Sequence, residues 1–301
     1  RHLPLRRVIA IGGGSIIDIA KILCVRDAYP CRRVMEQSIP LAPDKELIVL
    51  PSTCGTGSEV TFGGIVTMKD TGFKTGVLAP ELSAVHAVLV PELLTGLPVK
   101  VMLHCSVDAL GHAMESYVSA TRGNDMARAV GARAISLLMN NYAVLTEEGL
   151  DARFRLYKRF LTASCLAGMA VNNGGAGPVH ALAYPVGETY QMSHGESIYQ
   201  FLAPVFRFYE DRADGPLLEE LRQLMAPALK RAGVYSGHAF DDLETLLEQV
   251  YPNRRLRKCG MTEADVEPFV RNIFQAKQRL LTASYCPFTE ADAAAIYRAR
   301  L

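Results

Sequence analysis

VIAIGGGSIIDIAKIL, residues 8–23, decides the fold. Val8-Ile9-Ala10-Ile11 is a short β-branched run that stops at Gly12-Gly13-Gly14-Ser15. Ile16, Ile17, Ile19, Ala20, Ile22 and Leu23 then continue as a buried helix. A strand, a glycine turn and a helix in succession open an α/β unit. Glycines in such a turn let the backbone approach an anion, Ser15 can cap the helix, and the amides and dipole at the helix start favour a pyrophosphate. The run departs from G-x-G-x-x-G, so a plain glycine turn fits nearly as well. Asp18 and Lys21, three apart, read either as ligand contacts or as a surface ion pair.

Outward from this unit, the prolines at 30, 40 and 43 mark residues 25–45 as a loop-rich excursion. Glu46–Leu50 reads as a second buried strand running into Pro51-Ser52-Thr53-Cys54-Gly55-Thr56-Gly57-Ser58-Glu59. Hydroxyls between glycines beyond a strand end can bind phosphate, ribose or a nicotinamide amide, and they serve equally as local caps of a turn. Val60–Met68 alternates as a strand, Lys69–Phe73 turns, and Ala84–Val90 is a further apolar strand. After Leu97-Pro98 the texture becomes long helical patterns over Val99–Ala120, Asn124–Leu145 and Asp151–Asn172, then from Gly195 onward. The expected architecture is an α/β N-terminal part, residues 1–97, followed by an all-helical part, residues 98–301, with a cleft between them. The chain begins with Arg1 and a strand is under way at Arg7–Ile11, so the α/β part reads as truncated at its N-terminus.

Two segments of the helical part carry metal-ligating side chains. In CSVDALGHAMESY, residues 105–117, Asp108 and His112 are four apart and lie on one face of a helix. In GPVHALAYPVGETYQMSHGE, residues 177–196, His180 and His194 flank Pro185-Val186-Gly187, which reads as a tight corner folding one segment back on the other. Separately, each pair has a plainer reading, as a solvated ion pair or as two unrelated histidines. Together they make three imidazoles and one carboxylate with no thiolate, a donor set for Fe, Zn, Mn, Co or Ni in a catalytic rather than a structural site.

Composition narrows the partners. An apolar content of 49% with 21% charged residues describes a globular chain, and a net charge of +1 gives no basic footprint for nucleic acid or an anionic membrane. The seven cysteines are odd in number and form no CxxC pair, so they read as reduced, buried side chains. No apolar run approaches a membrane span, and RHLPLRR lacks the apolar core of a secretory signal, so a cytoplasmic location is expected.

Taken in order, IGGGSIIDIAK, PSTCGTGSEVT, DALGHAMESY and HALAYPVG…SHGE resemble the iron-dependent (group III) alcohol dehydrogenases. The resemblance implies a dinucleotide-binding domain followed by an all-α domain that holds Fe(II) or a substitute ion. It assigns the metal to Asp108, His112, His180 and His194, the pyrophosphate to Gly13, Gly14, Ser15 and Asp18, and the nicotinamide and ribose of NAD (or NADP) to Ser52, Thr53, Thr56, Lys74 and Leu93. It also implies a small alcohol or aldehyde as substrate, with a homodimer as the expected assembly. Within the family the motifs look most similar to the 4-hydroxybutyrate dehydrogenase branch, which interconverts that acid and succinate semialdehyde. The alternatives are a reductase of another acid-bearing aldehyde such as phosphonoacetaldehyde, a glycerol dehydrogenase-like or dehydroquinate synthase-like enzyme, or a truncated metal-binding or assembly module. Two departures stand out. Tyr184 occupies the position where many relatives carry a proton-relaying histidine, and the first nucleotide-binding unit of the family is not seen. The carboxylate recess that such a substrate needs is not identified by sequence; Asn172, Asn173 and the glycines after them are candidates, with a helix-ending loop as their plainer role.

Overall fold

The computed structural model describes residues 5–68 and 74–301. Three parallel strands, β1 (Arg7–Gly12), β2 (Glu46–Pro51) and the two-residue β5 (His86–Ala87), form a sheet in the order β1-β2-β5. The register runs from Arg7↔Glu46 to Gly12↔Pro51, so β1 and β2 end at the same level. Residues 13–15 and the Ser/Thr loop after Pro51 therefore leave the carboxyl edge of the sheet side by side, where ligands of open α/β sheets lie. Between β2 and β5, β3 (Gly63–Thr67) and β4 (Lys74–Leu78) make an antiparallel pair. The expected turn at Lys69–Phe73 lies outside the described residues, as does the side chain of Lys74.

Two expectations for this part need correction. The strand expected over Ala84–Val90 pairs only at His86–Ala87, extended by Val85 N–H to Leu47 O and Val88 N–H to Val49 O at 2.9 Å each. At the sheet edge the segment has one neighbour, and it leaves the ladder as soon as the chain diverges. Helix α1 (Gly14–Leu23) is buried on one face only: Ile17, Ala20, Lys21 and Ile22 face inward, whereas Ile16, Ile19 and Leu23 are 52%, 45% and 47% exposed. Apolar periodicity predicts the inner face, but burial of the other face needs a further layer, and none covers it among the described residues.

Lys21 is also not a surface charge. It is buried, and its Nζ donates to Ser58 Oγ and Thr61 Oγ1 at 3.1 Å and to Gly63 O at 2.8 Å, with Asp18 Oδ1 at 3.7 Å. Asp18 accepts from the Ser58 hydroxyl and, at 3.1 Å, from Ile65 N–H. The pair thus ties α1 to the start of β3, a buried strut that leaves no polar group unmatched.

After α2 (Arg32–Met35) and the strands, the chain is helical: α3 (Val99–Val118), α4 (Asp125–Glu148), α5 (Arg153–Gly174), α6 (Pro178–Thr189), α7 (His194–Arg212), α8 (Pro216–Arg231), α9 (Ala239–Val250), α10 (Glu263–Ala276), α11 (Gln278–Leu281) and α12 (Glu290–Ala299). One apolar cluster runs through them, with Leu110, Tyr142, Phe160, Phe201, Phe240 and Tyr297 among its buried members. Helix α3 is its axis, packed on α4, α5 and α7 and buried on all sides from Met102 to Val118 apart from Cys105. A helix enclosed in this way must satisfy every polar side chain it carries inside the protein. Among the described residues no helix is long and apolar enough to cross a membrane.

Candidate metal and cofactor site

The polar side chains of α3 converge. Asp108, His112 and Glu115 are all buried, so the solvated ion pair that Asp108 and His112 could have formed is ruled out. From α6 and α7 come His180 and His194, whose Nε2 atoms each lie 3.5 Å from Asp108 Oδ1; His112 Nε2 is 3.8 Å from the same oxygen. One donor atom from each of Asp108, His180 and His194 falls within 4.8 Å of the other two. His112 stacks on His180 with ring centroids 4.6 Å apart and stands beside this trio rather than in it.

The corner at Pro185-Val186-Gly187 is not observed. Helix α6 runs through Pro185 to Thr189, and the reversal comes at residues 190–193, where Gln191 has φ 52° and Ser193 caps α7 by accepting from Glu196 N–H at 3.4 Å. Proline forfeits the bond to the carbonyl four residues back and its ring crowds that carbonyl, and the tightly packed helix absorbs both costs. His180 therefore sits in the first turn of α6 and His194 opens α7. Gly195 lets α7 approach α3: a Cβ there would lie 2.0 Å from the His104 carbonyl oxygen.

The trio meets the requirements of a metal. Ligand atoms held about 2.1 Å from one ion at tetrahedral angles stand roughly 3.4 Å apart, close to the 3.5 Å from Asp108 Oδ1 to each of the two histidine nitrogens. Asp108 Oδ1 and His180 Nε2 are buried without a hydrogen-bond partner, which is costly unless a cation lies between them. Burial acts to raise the Asp108 pKa, but His112, His194 and His180 outweigh it and hold the carboxyl well below its usual range, so it is ionised. Glu115, which sequence reasoning quoted without a role, accepts from His180 Nδ1 and, at 2.6 Å, from Val179 N–H. That contact orients the ring and turns Nε2 toward Asp108, as carboxylates behind metal-binding histidines do. Its signal was available, since Glu115 lies two helical turns beyond Asp108 on the same face.

A cleft of about 730 Å³ opens from these residues to the sheet edge. Its lining includes Gly13, Gly14, Ser15, Asp18, Thr53 and Thr56 along with Asp108, His112, His180, Tyr184 and His194. Ser52 and Leu93 are not part of the lining, and Asp18 reaches it with both carboxylate oxygens already engaged. The glycine turn packs directly on the Ser/Thr loop: a Cβ on Gly14 would lie 2.8 Å from the Thr56 methyl and hydroxyl. That loop is in turn pressed on α5 at Gly57, whose φ is 60° and whose Cβ would meet Gly168 Cα at 2.3 Å. The volume, the glycine backbone and the hydroxyls suit a dinucleotide reaching toward the metal trio.

Tyr184, one turn beyond His180, has its ring 5.6 Å from that of His194. Burial, followed by Asp108 and Glu188, pushes its phenol up to about 12 against the opposing Arg279, so the group stays protonated. Arg122 and Arg279 also line the cleft and were not singled out by sequence. Arg279 carried no signal, because only the packing of the four-residue α11 against α6 brings it there.

Known proteins resemble this chain in sequence and fold. The sequence pattern described as iron-containing alcohol dehydrogenase matches residues 2–91, and that of the Fe-containing alcohol dehydrogenase family, C-terminal, matches residues 102–301. The 4-hydroxybutyrate dehydrogenase of Clostridium kluyveri is 39% identical over 292 residues, covering 97% of this chain and 78% of that protein. Long-chain-alcohol dehydrogenase 1 of Geobacillus thermodenitrificans is 31% identical, covering 97% of this chain and 74% of its own. The crystal structure of a 1,3-propanediol oxidoreductase superposes with a TM-score of 0.84 at 25% identity, over 98% of this chain and 77% of that one. With both halves matched in order and a buried carboxylate–histidine trio at the head of the cleft, the chain belongs to the iron-containing alcohol dehydrogenase family and is an oxidoreductase.

Proposed function

We propose that the protein interconverts 4-hydroxybutyrate and succinate semialdehyde with NAD(H), in the cytoplasm and as a homodimer. The observation that carries the reading is that one cleft is lined by both the glycine turn and the Asp108–His180–His194 trio. The 39% identity to a 4-hydroxybutyrate dehydrogenase over nearly the whole chain supports the substrate. The dinucleotide-binding part is taken as residues 1–97 and the metal-binding part as residues 98–301. Asp108, His180 and His194 hold the metal, with His112 beside them as the fourth ligand, and Gly13, Gly14, Ser15, Thr53 and Thr56 receive the dinucleotide. Asp18, Ser52, Lys74 and Leu93 complete that set on the strength of motif position.

When bound, the metal supplies Lewis acidity toward a carbonyl oxygen and the nicotinamide supplies or takes up hydride. The chain's own residues do the rest. Glu115 holds the His180 ring, α3 and α6 bury Asp108 and His180, and Tyr184 lines the cleft as a protonated phenol. Tyr184 is the catalytic candidate at the cleft: a phenol held protonated can donate a hydrogen bond there, and water carries more of the proton traffic than it would beside a histidine. Oxidation of NADH by the iron-loaded protein tests the reading. The expected result is a kcat/KM for succinate semialdehyde at least about ten-fold above that for glyceraldehyde or acetaldehyde, a difference of about 1.4 kcal/mol in transition-state binding. A preference for glyceraldehyde would replace the proposal with a glycerol dehydrogenase-like activity.

A further inference from the structure

Arg122 and Arg279 both line the cleft that contains the metal trio, and among the described residues neither guanidinium is paired with a carboxylate. Arg122 is held in place: its N–H donates to Ser119 Oγ at 3.3 Å, and its Nη2 donates to the carbonyl of Asn172, near the end of α5, at 3.2 Å. Arg279 stands on α11 at the exposed rim, beside Tyr184. The neighbouring Lys277 places its Nζ 4.4 Å over the Tyr184 ring. Tyr184 is thus bordered by His194 on the metal side and by cations on the other. The carboxylate nearest this group on α6, Glu188, makes no ion pair with either arginine. Loss of hydration, and then the charge of Arg122, lower the Arg279 pKa, as expected for two like charges that share a recess. Two uncompensated guanidiniums facing one cleft are a recognition site lacking only its anion, and a planar fork of N–H donors matches a carboxylate.

We propose that Arg122 and Arg279 recognise a carboxylate carried by the substrate at the end remote from its reacting carbon, with Arg122 as the fixed donor and Arg279 as the one that folds in from the rim. This deepens the proposed function and rests on it, since the metal end of the same cleft must then take the hydroxyl or carbonyl. The pair orders a short chain between two anchors and selects acid-bearing aldehydes over neutral ones of equal length.

The test compares wild type, Arg279→Gln and Arg279→Lys, each iron-loaded and assayed with NADH against succinate semialdehyde and butanal. The readout is the ratio of the two kcat/KM values. It should fall roughly 10- to 100-fold in Arg279→Gln, the worth of a charge-assisted hydrogen bond, and recover in part in Arg279→Lys. Calorimetric titration of succinate into the same proteins is the second readout, and its affinity should weaken by a similar factor in Arg279→Gln. An unchanged ratio together with unchanged succinate affinity overturns the inference and leaves the oxidoreductase reading intact. A rise in KM for NADH with an unchanged ratio also overturns it, by moving the arginine to the cofactor. Loss of succinate binding in Arg279→Gln, with no turnover of any aldehyde by wild type, sustains the anion site and sinks the proposed reaction.

Discussion

Replacing His194 with alanine is expected to remove both bound metal and turnover while the helical content stays unchanged. The imidazole supplies one of three donor atoms that lie within 4.8 Å of one another, and its side chain is 28% exposed, so its loss opens no deep cavity. Without it Asp108, His180 and the more distant His112 remain, and a site that has lost one of its three close donors does not retain a divalent ion against dilution at neutral pH. Iron per chain should fall from near one to below about one tenth, and NADH oxidation should fall by at least about 10³-fold, since the Lewis acid is lost with the ion. Circular dichroism should match wild type. Stoichiometric iron in the purified variant would show that His194 is not a ligand.

A larger structural effect is expected one residue further on. In Gly195→Ala the new methyl carbon would stand 2.0 Å from the carbonyl oxygen of His104 and 2.4 Å from its carbonyl carbon, both backbone atoms of α3. No rotamer relieves that contact, so α7 must move away from α3 at this close approach. Overpacking of this kind costs about 3 kcal/mol or more, a fall of roughly 5–10 °C in Tm for a chain of this size. Because α7 begins at His194, the same movement withdraws the ligand from Asp108, and the surviving folded protein should bind iron substoichiometrically. Gly96→Ala is the matched control: a Cβ there meets nothing within 4 Å, and its Tm should stay within about 2 °C of wild type. Equal melting temperatures for the two variants would refute the steric argument.

These side chains differ in how legible they were from sequence. The β1–turn–α1 unit was readable because periodicity and glycine punctuation are local signals, and the β1–β2 register then brings Thr53 and Thr56 to the turn. Asp108 and His112 were readable as a spacing, but their burial was not, because it depends on the helices packed around α3. The position of Pro185 misled, since a proline inside a densely packed helix costs a hydrogen bond and some crowding but need not end the helix. The outer face of α1 misled for the opposite reason: an apolar pattern states a preference for burial, and satisfying it requires another layer. Arg279 could not have been found, because an arginine on a surface helix acquires meaning only when α11 docks on α6 beside Tyr184.

The central claim is that Asp108, His180 and His194 grip one metal ion. Anomalous scattering at the iron edge, measured on crystals of the iron-loaded protein, tests it most directly. The predicted result is a single peak about 2.0–2.3 Å from an Asp108 carboxylate oxygen and from the Nε2 atoms of His180 and His194. A peak elsewhere in the molecule, or none at this trio in protein that carries stoichiometric iron, would contradict it.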